Sequence, residues 1–325
     1  MQTCQVCGLG LVAEPHATLV VPVFKSEEHI SEVFSFASKI GNAIPAGVSL
    51  VFVDDGSPDR SVERIHLEST LNSLPVTVLR LSRNFGSGPA VHAGLENSQG
   101  CATVVFGSDL QEPEELYVEM IKEILGGKAD VCLGQRTSRE DPFGMKLAAI
   151  SYWWFSRKFL NGQTPKGGFD VFGLSRSARQ SLVNLQELNT SLTSQIQWIG
   201  YKQLLIPYER RARLSGTSTW TMRRKMKLFA DSVYGFSGTP VALLFVVGLL
   251  STLCFVMLSL VTLFGRLTGL IDVAGYTTLV LLLALGQAVN LLAVGIVGGY
   301  LYRTFDNSKG RPKYIISKVE FPSIR

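Results

Sequence analysis

Cysteine is scarce in this sequence, with five residues in 325, and only Cys4 and Cys7 stand in a C-x-x-C spacing. A structural zinc site usually needs a second pair of ligands at a similar spacing, and the sequence offers none. We therefore expect two free thiols at the N-terminus, with metal binding by the same pair as the alternative.

Charged residues are missing from two long stretches, residues 240–264 and 277–302. Each is longer than the roughly 20 residues that cross a hydrocarbon core, so we predict two transmembrane helices. Two buried helices of a soluble core are the alternative, although such helices rarely stay uncharged for so long. Basic residues at 223–227 and 303–313 flank the pair, whereas the connecting stretch is nearly neutral.

This charge distribution predicts a membrane protein with two spans, in which the leading domain and both termini are cytoplasmic. The N-terminus also lacks an apolar signal segment, as such a topology requires. Residues 201–227 hold eight Lys or Arg against one Glu, which favours an anionic partner near the bilayer. Within this region, residues 219–238 alternate aromatic and basic side chains, a pattern typical of an interfacial helix that contacts membrane lipid.

Apolar runs alternate with amphipathic ones along the first two hundred residues. We predict buried strands at residues 18–24, 48–55, 76–81, 102–109 and 129–136. The first amphipathic segment has apolar residues at helical spacing, and Ser26 could cap the helix. Such alternation predicts an α/β fold with a mostly parallel sheet, in which ligands bind beyond the carboxyl ends of the strands.

Polar residues at two of these strand ends are candidates for binding. Asp54 and Asp55 end the second strand and could bind a base edge or ribose hydroxyls, provided that a counter-charge lies nearby. The third strand leads into Arg83, Asn84 and Gly86 at the start of a helix. A helix start favours an anion, but a packed turn has the same sequence features.

The fourth strand ends in Asp109 and Gln111, just ahead of Pro113. In an extended chain, side chains two residues apart leave the same side, and both of these offer oxygen ligands. Mg²⁺ or Mn²⁺ accepts one or two such ligands and takes the others from water and phosphates. Alternatively, one of these residues caps the helix that begins near Pro113.

The segments "VVPVF", "VDDGSPD", "RNFG", "DLQEP", "GQR" and "R..R..GTSTW" occur in this order. Together they resemble the family 2 glycosyltransferases, specifically the polyprenyl-phosphate glycosyltransferases related to dolichol-phosphate mannose synthase and bactoprenol glucosyltransferases. The resemblance runs from about residue 18 to the second uncharged stretch. It implies a GT-A (Rossmann-like) fold and inverting transfer of a sugar from a nucleotide-sugar donor to undecaprenyl or dolichyl phosphate, with Mg²⁺ or Mn²⁺ as cofactor.

The resemblance also assigns roles to individual residues. Asp109 and Gln111 match the metal ligands, and Asp170 matches a position that could act as a base or bind sugar hydroxyls. Arginines are implied as partners of the diphosphate and the lipid phosphate, although each could instead be a solvated surface cation: Arg136, Arg210 and Arg213. The implied residues for binding the donor are Pro22, Glu27, Asp54, Arg83, Gly86, Ser218 and Trp220.

Three positions depart from the family pattern. Gly107 replaces the first Asp of the usual D-x-D, Lys25 stands where Asn is expected, and Phe172 stands where Arg is common. These departures keep a non-catalytic nucleotide-binding membrane protein as the alternative. A processive polysaccharide synthase is a further rival, but Q-x-x-R-W is missing and two spans are too few for a pore.

The predicted layout follows from these observations. It consists of a flexible N-terminus at residues 1–17, a GT-A domain at 18–218, a juxtamembrane helix at 219–238, two transmembrane helices at 239–303 with a short external loop, and a basic cytosolic tail at 304–325. We expect a possible homo-oligomer and no nucleic-acid partner.

Overall fold

The computed structural model describes residues 17–136, 169, 171–188, 190–209 and 275–322, with scattered residues between 246 and 268. Its centre is an eight-stranded sheet in the order β7-β5-β6-β4-β1-β2-β3-β8. The strands are β1 (Ala17–Val23), β2 (Val48–Asp54), β3 (Val76–Leu81), β4 (Ala102–Val105), β5 (Val131–Arg136), β6 (Val171–Ser175), β7 (Gln203–Tyr208) and β8 (Ile316–Glu320).

Strand direction places most of the carboxyl ends at one edge of the sheet. β4, β1, β2 and β3 are mutually parallel, and β5 and β7 form a second parallel pair. β6 runs antiparallel between β4 and β5, so β5 points in the same direction as β4. Only β8, antiparallel to β3, and β6 therefore begin at this edge rather than end there.

Helices cover both faces of the sheet, because buried strand residues alternate between two apolar cores. Leu19 and Phe52 face the core built with α1 (Ile30–Ala43), α2 (Ser61–Leu71) and α4 (Glu114–Leu125). Val20 and Val53 face the other core, built with α3 (Ser87–Glu96), α5 (Arg176–Val183) and α6 (Leu192–Trp198). A short 3₁₀ helix (Glu27–His29) precedes α1, and α7 (Tyr276–Ser308) follows later in the chain.

The chain divides into two compact units. The first contains the whole sheet, including β8, which lies within the stretch predicted as a basic tail. The second contains α7. All five predicted strands are present, but the fourth ends at Val105 instead of residue 109, and β6, β7 and β8 were not predicted.

The predicted membrane topology is not supported. Counting only residues that the structure describes, no helix is both long and apolar enough to cross a membrane. This finding contradicts the predicted localisation, a two-span membrane protein with its catalytic domain and both termini in the cytoplasm.

Candidate active site

The loops that follow β1, β2 and β4 meet at the carboxyl edge of the sheet. The backbone N–H of Asp55 donates to the carbonyl of Val23, at 2.9 Å. The hydroxyl oxygens of Ser26 and Ser108 lie 2.9 Å apart. Ser26 was predicted to cap a helix, but its side chain makes no capping hydrogen bond and joins the β1 loop to the β4 loop instead. These contacts bring the predicted residues of three separate motifs into one cluster.

Asp54 is the last residue of β2 and is only 1% exposed. One carboxylate oxygen accepts a hydrogen bond from the backbone N–H of Ser57, at 3.0 Å. The other lies 3.9 Å from Nε of Arg80, on the neighbouring strand β3. The sequence analysis required a counter-charge near Asp54, and Arg80 provides it. The sequence alone did not identify Arg80, because an arginine in a strand could equally have faced solvent.

The side chain of Asp55 stabilises the loop after β3. Its carboxylate accepts hydrogen bonds from the backbone N–H groups of Phe85 and Gly86, at 2.6 and 2.8 Å. Burial raises the pKa of Asp55, and these two hydrogen bonds oppose that shift. The amides at the start of α3 therefore already bind a carboxylate of the protein itself. This geometry favours the packed turn over a phosphate site at these two amides.

Gly56 permits the close contact between these loops. It has a φ of 68°, a conformation that residues with a side chain rarely adopt. A Cβ atom at this position would also lie 2.8 Å from the backbone carbon of Arg83. Arg83 itself is exposed, with its guanidinium 4.0 Å from the ring centre of Phe85. Its cation is thus held at the rim of the cluster.

The chain turns sharply after β4 rather than staying extended. Leu110 has a φ of 47°, and its backbone N–H donates to the carbonyl of Gly107, at 3.3 Å. The expectation that Asp109 and Gln111 leave the same side of an extended strand is therefore wrong. Gln111 is 4% exposed, whereas Asp109 is half-buried.

The turn also decides the capping alternative. Helix α4 begins at Glu114, and Pro113 at its N-cap position makes no side-chain capping hydrogen bond. The carboxylate of Asp109 instead folds back over Gly107, where an added Cβ would lie 2.7 Å from Oδ1 of Asp109. Neither Asp109 nor Gln111 occupies the N-cap position, and the role of both residues as metal ligands stays a prediction.

A buried carboxylate next to this turn was not predicted. Glu112 is 4% exposed, and the hydroxyl of Tyr117 donates to it at 3.3 Å. Burial raises the pKa of Tyr117 well above its usual value, and the nearby Glu112, Tyr208 and Asp109 raise it further. The sequence signal for this carboxylate is the acidic residue before Pro113 in "DLQEP".

The other predicted site residues are not linked to this cluster by the hydrogen bonds described above. Pro22 pairs with Val53 in the sheet. Glu27 is exposed, and its carboxylate accepts a hydrogen bond from the backbone N–H of Arg60 at 3.2 Å. Arg136 ends β5 at the same edge of the sheet as Asp54. The remaining candidates, together with Cys4 and Cys7, lie outside the described residues: Asp170, Arg210, Arg213, Ser218 and Trp220.

The oxygen ligands at this turn are few for a divalent ion. Over the part of the chain that the structure describes, no group of three or more His, Cys, Asp and Glu residues could hold a metal. One carboxylate from Asp109 and one amide oxygen from Gln111 suit Mg²⁺ or Mn²⁺ when a bound diphosphate supplies further oxygens. The residues present therefore fit a metal that arrives with a phosphorylated ligand.

Comparison with known families identifies the chain. The model of "Glycosyl transferase family 2" matches residues 18–184, which contain the whole cluster around Asp54 and Asp109. The chain belongs to glycosyl transferase family 2. This family 2 glycosyltransferase is 32% identical over 307 residues to the uncharacterized glycosyltransferase YkcC of Bacillus subtilis (strain 168), with 93% of each chain covered.

A second relative is the bactoprenol glucosyl transferase of Shigella phage SfII. It is 30% identical over 316 residues, covering 93% of this glycosyltransferase and 97% of the relative. Among solved structures, glucosyl-3-phosphoglycerate synthase from Mycobacterium tuberculosis, in complex with Mn²⁺, UDP-glucose and phosphoglyceric acid, has a TM-score of 0.50 at 14% identity. That match covers 69% of this chain and 79% of the other. At this identity the similarity concerns the fold alone, and it confirms the α/β, GT-A-like architecture.

Proposed function

We propose that this enzyme transfers a sugar from a nucleotide-sugar donor to a polyprenyl phosphate, with inversion at the anomeric carbon. The observation that carries the proposal is the convergence of the β1, β2 and β4 loops, in which Ser26 joins Ser108 and Val23 accepts from Asp55. It sets Asp54 and the turn containing Asp109 at one edge of the sheet. The relative named bactoprenol glucosyl transferase supports the choice of acceptor.

Asp54 is proposed to bind the base or ribose of the donor. Its carboxylate is buried at the end of β2, and Arg80 lies close enough to balance the charge. A buried carboxylate is a strong hydrogen-bond acceptor for the N–H of a base or for a ribose hydroxyl. Exposed Arg83, at the rim, is proposed to approach the donor phosphates.

Asp109 and Gln111 are proposed to hold Mg²⁺ or Mn²⁺ against the donor diphosphate. When bound, the ion would act as a Lewis acid that stabilises charge on the leaving diphosphate. Gly107 does not contradict this role, although the family pattern has an Asp there. A side chain at 107 would collide with the position that the Asp109 carboxylate occupies in this protein.

The acceptor needs alignment more than activation. A phosphomonoester is largely dianionic at neutral pH, since its second pKa is near ~6. Two anionic phosphates must then be held together, which requires cations with directed hydrogen bonds. Arg136, Arg210 and Arg213 are proposed for this task, and Asp170 is proposed to bind sugar hydroxyls, with a role as base as the alternative.

A direct assay tests the proposal. The full-length protein would be incubated with undecaprenyl phosphate in detergent and a panel of radiolabelled UDP- and GDP-sugars, and the label extracted into organic solvent would be counted. We expect one donor to give a lipid product with wild type and with Glu119→Gln, an exposed charge change on α4, but not with Asp54→Ala. Nucleotide binding without a lipid product from any donor would instead support a non-catalytic protein.

A further inference from the structure

A cavity of about 710 Å³ lies far from the cluster described above. It is bounded by the C-terminal end of α3 and by α5. The backbone N–H of Arg176 donates to the carbonyl of Cys101, and Ser175 pairs with Ala102, the first residue of β4. The cavity is therefore near the amino end of β4, whereas Asp109 follows its carboxyl end. No role at this edge follows from sugar transfer.

Arg179 is the unusual side chain in the cavity wall. It is 5% exposed, and one guanidinium nitrogen donates to the backbone carbonyl of Ser98. Across the residues that the structure covers, no Asp or Glu lies within ion-pair distance of Arg179. A buried cation without an acidic partner is unfavourable, because its lost hydration is not replaced. Burial lowers the pKa of Arg179 to about 10, and the nearby cation of Arg176 lowers it as well.

The rest of the wall supplies a second cation and several hydrogen-bonding groups. Arg176 is half-buried at the first position of α5 and also borders the cavity. Among the described residues, Glu96 is the one acidic residue in the wall, and its carboxylate accepts a hydrogen bond from the hydroxyl of Tyr314. Neutral amide side chains complete the polar lining: Gln99, Gln180 and Asn184.

We propose that this cavity binds a small, water-soluble phosphomonoester that carries hydroxyl groups, such as a sugar phosphate. Arg176 and Arg179 would bind the phosphate, since a guanidinium matches two phosphate oxygens at once. The amides and Glu96 offer donors and acceptors to the hydroxyls. The volume is within the roughly 300–1,000 Å³ that is usual for small-molecule sites.

Isothermal titration of the full-length protein would test this, with glucose 6-phosphate, inorganic phosphate and glucose as probes. We expect the two phosphate-bearing probes to bind, glucose 6-phosphate more tightly, and glucose not to bind. Arg176→Gln and Arg179→Gln should each weaken binding by about ten-fold or more, which is the loss of one charge-assisted contact. Arg64→Gln removes the same charge from α2 and should leave the affinity unchanged.

Two further variants separate this site from the donor site and from effects on folding. Asp54→Asn should leave the affinity for glucose 6-phosphate unchanged, which shows that the probe does not occupy the donor site. Arg176 is less buried than Arg179, so Arg176→Gln retains the fold even where Arg179→Gln lowers stability. Unchanged affinity in Arg176→Gln, or no binding of either phosphate-bearing probe to wild type, would overturn the proposal.

Discussion

The side-chain oxygens of Ser26 and Ser108 lie 2.9 Å apart, although 82 residues separate them in the chain. The contact connects the loop after β1 to the turn that positions Asp109. Because one such hydrogen bond is worth about 1 kcal/mol, its loss should loosen the turn without unfolding the domain.

We therefore expect Ser108→Ala to lower kcat/KM about five-fold, which corresponds to about 1 kcal/mol, with little change in Tm. Ser26→Ala should act similarly, and the double variant should be no worse than either single variant, since both remove the same contact. Thr70→Ala, at an exposed hydroxyl on α2, is the matched control. Additive losses in the double variant would show that the two hydroxyls act separately.

Gly107 offers a sharper test of the turn. A Cβ at this position would lie 2.7 Å from Oδ1 of Asp109, so Gly107→Ala must displace that carboxylate. The displaced group is the end of a side chain, so the stability cost is small while the ligand geometry changes. We expect transfer to fall about ten-fold or more, because small misplacements in an active site are costly.

The control is Gly88→Ala, since nothing lies within 4 Å of a Cβ built at Gly88. This variant should retain both activity and Tm. Gly107→Asp, which restores the usual family residue, should be impaired like Gly107→Ala. A gain of activity in Gly107→Asp would show that Asp109 can adopt another position and that the present turn is not required.

Sequence periodicity predicted the parallel centre of the sheet well, because β1 to β5 are buried apolar runs bounded by polar loops. The unpredicted strands lack that signal. β7 contains Pro207 and the exposed Leu205, and β8 is a short edge strand with Lys318 and Glu320. β8 also pairs with β3 across more than two hundred residues, and no local pattern reports such a contact.

Motifs named candidate site residues but did not predict their geometry. Asp55 was expected to bind a ligand, yet its carboxylate accepts hydrogen bonds from the backbone N–H groups of Phe85 and Gly86. The turn at Asp109 depends on a positive φ at Leu110. Leucine rarely adopts this conformation, so the sequence does not predict the turn. Local patterns therefore named candidate residues, whereas tertiary contacts determine how their side chains are arranged.

The proposed metal role of Asp109 predicts a loss of activity without a loss of stability. Asp109→Asn keeps the size of the side chain but removes its charge, so it should reduce transfer to near background. EDTA should stop the wild-type reaction, and Mn²⁺ or Mg²⁺ should restore it, because a site with few protein ligands releases its metal readily. Product formation in the assay above measures both effects.

Stability measurements complete this test. Since Pro113 and not Asp109 occupies the N-cap position of α4, Asp109→Ala should change the free energy of unfolding by well under the roughly 1 kcal/mol of a lost cap. Glu119→Gln controls for the change in net charge. Transfer that persists in both Asp109→Asn and EDTA would rule out a metal at this turn.

His92 predicts how stability depends on pH. It is buried on α3, its Nε2 lies 3.0 Å from Nζ of Lys313, and Gln195 and Glu96 are the other polar groups facing it. Burial, and then the charge of Lys313, lower the pKa of His92 to about 4 from an ordinary value of 6.5. The unfolded chain thus takes up a proton near pH 6.5, but the folded protein does so only near pH 4.

The free energy of unfolding therefore decreases as pH falls from 6.5 towards 4, and His92 contributes up to about 3 kcal/mol to this decrease. His92→Gln cannot take up the proton, so its urea midpoint should decline less than that of wild type over this interval. Lys313→Met should give an intermediate slope, because removing the nearby cation raises the pKa of His92 and narrows the interval. Parallel declines in wild type and His92→Gln would show that carboxylates elsewhere, and not this buried histidine, determine the sensitivity to acid.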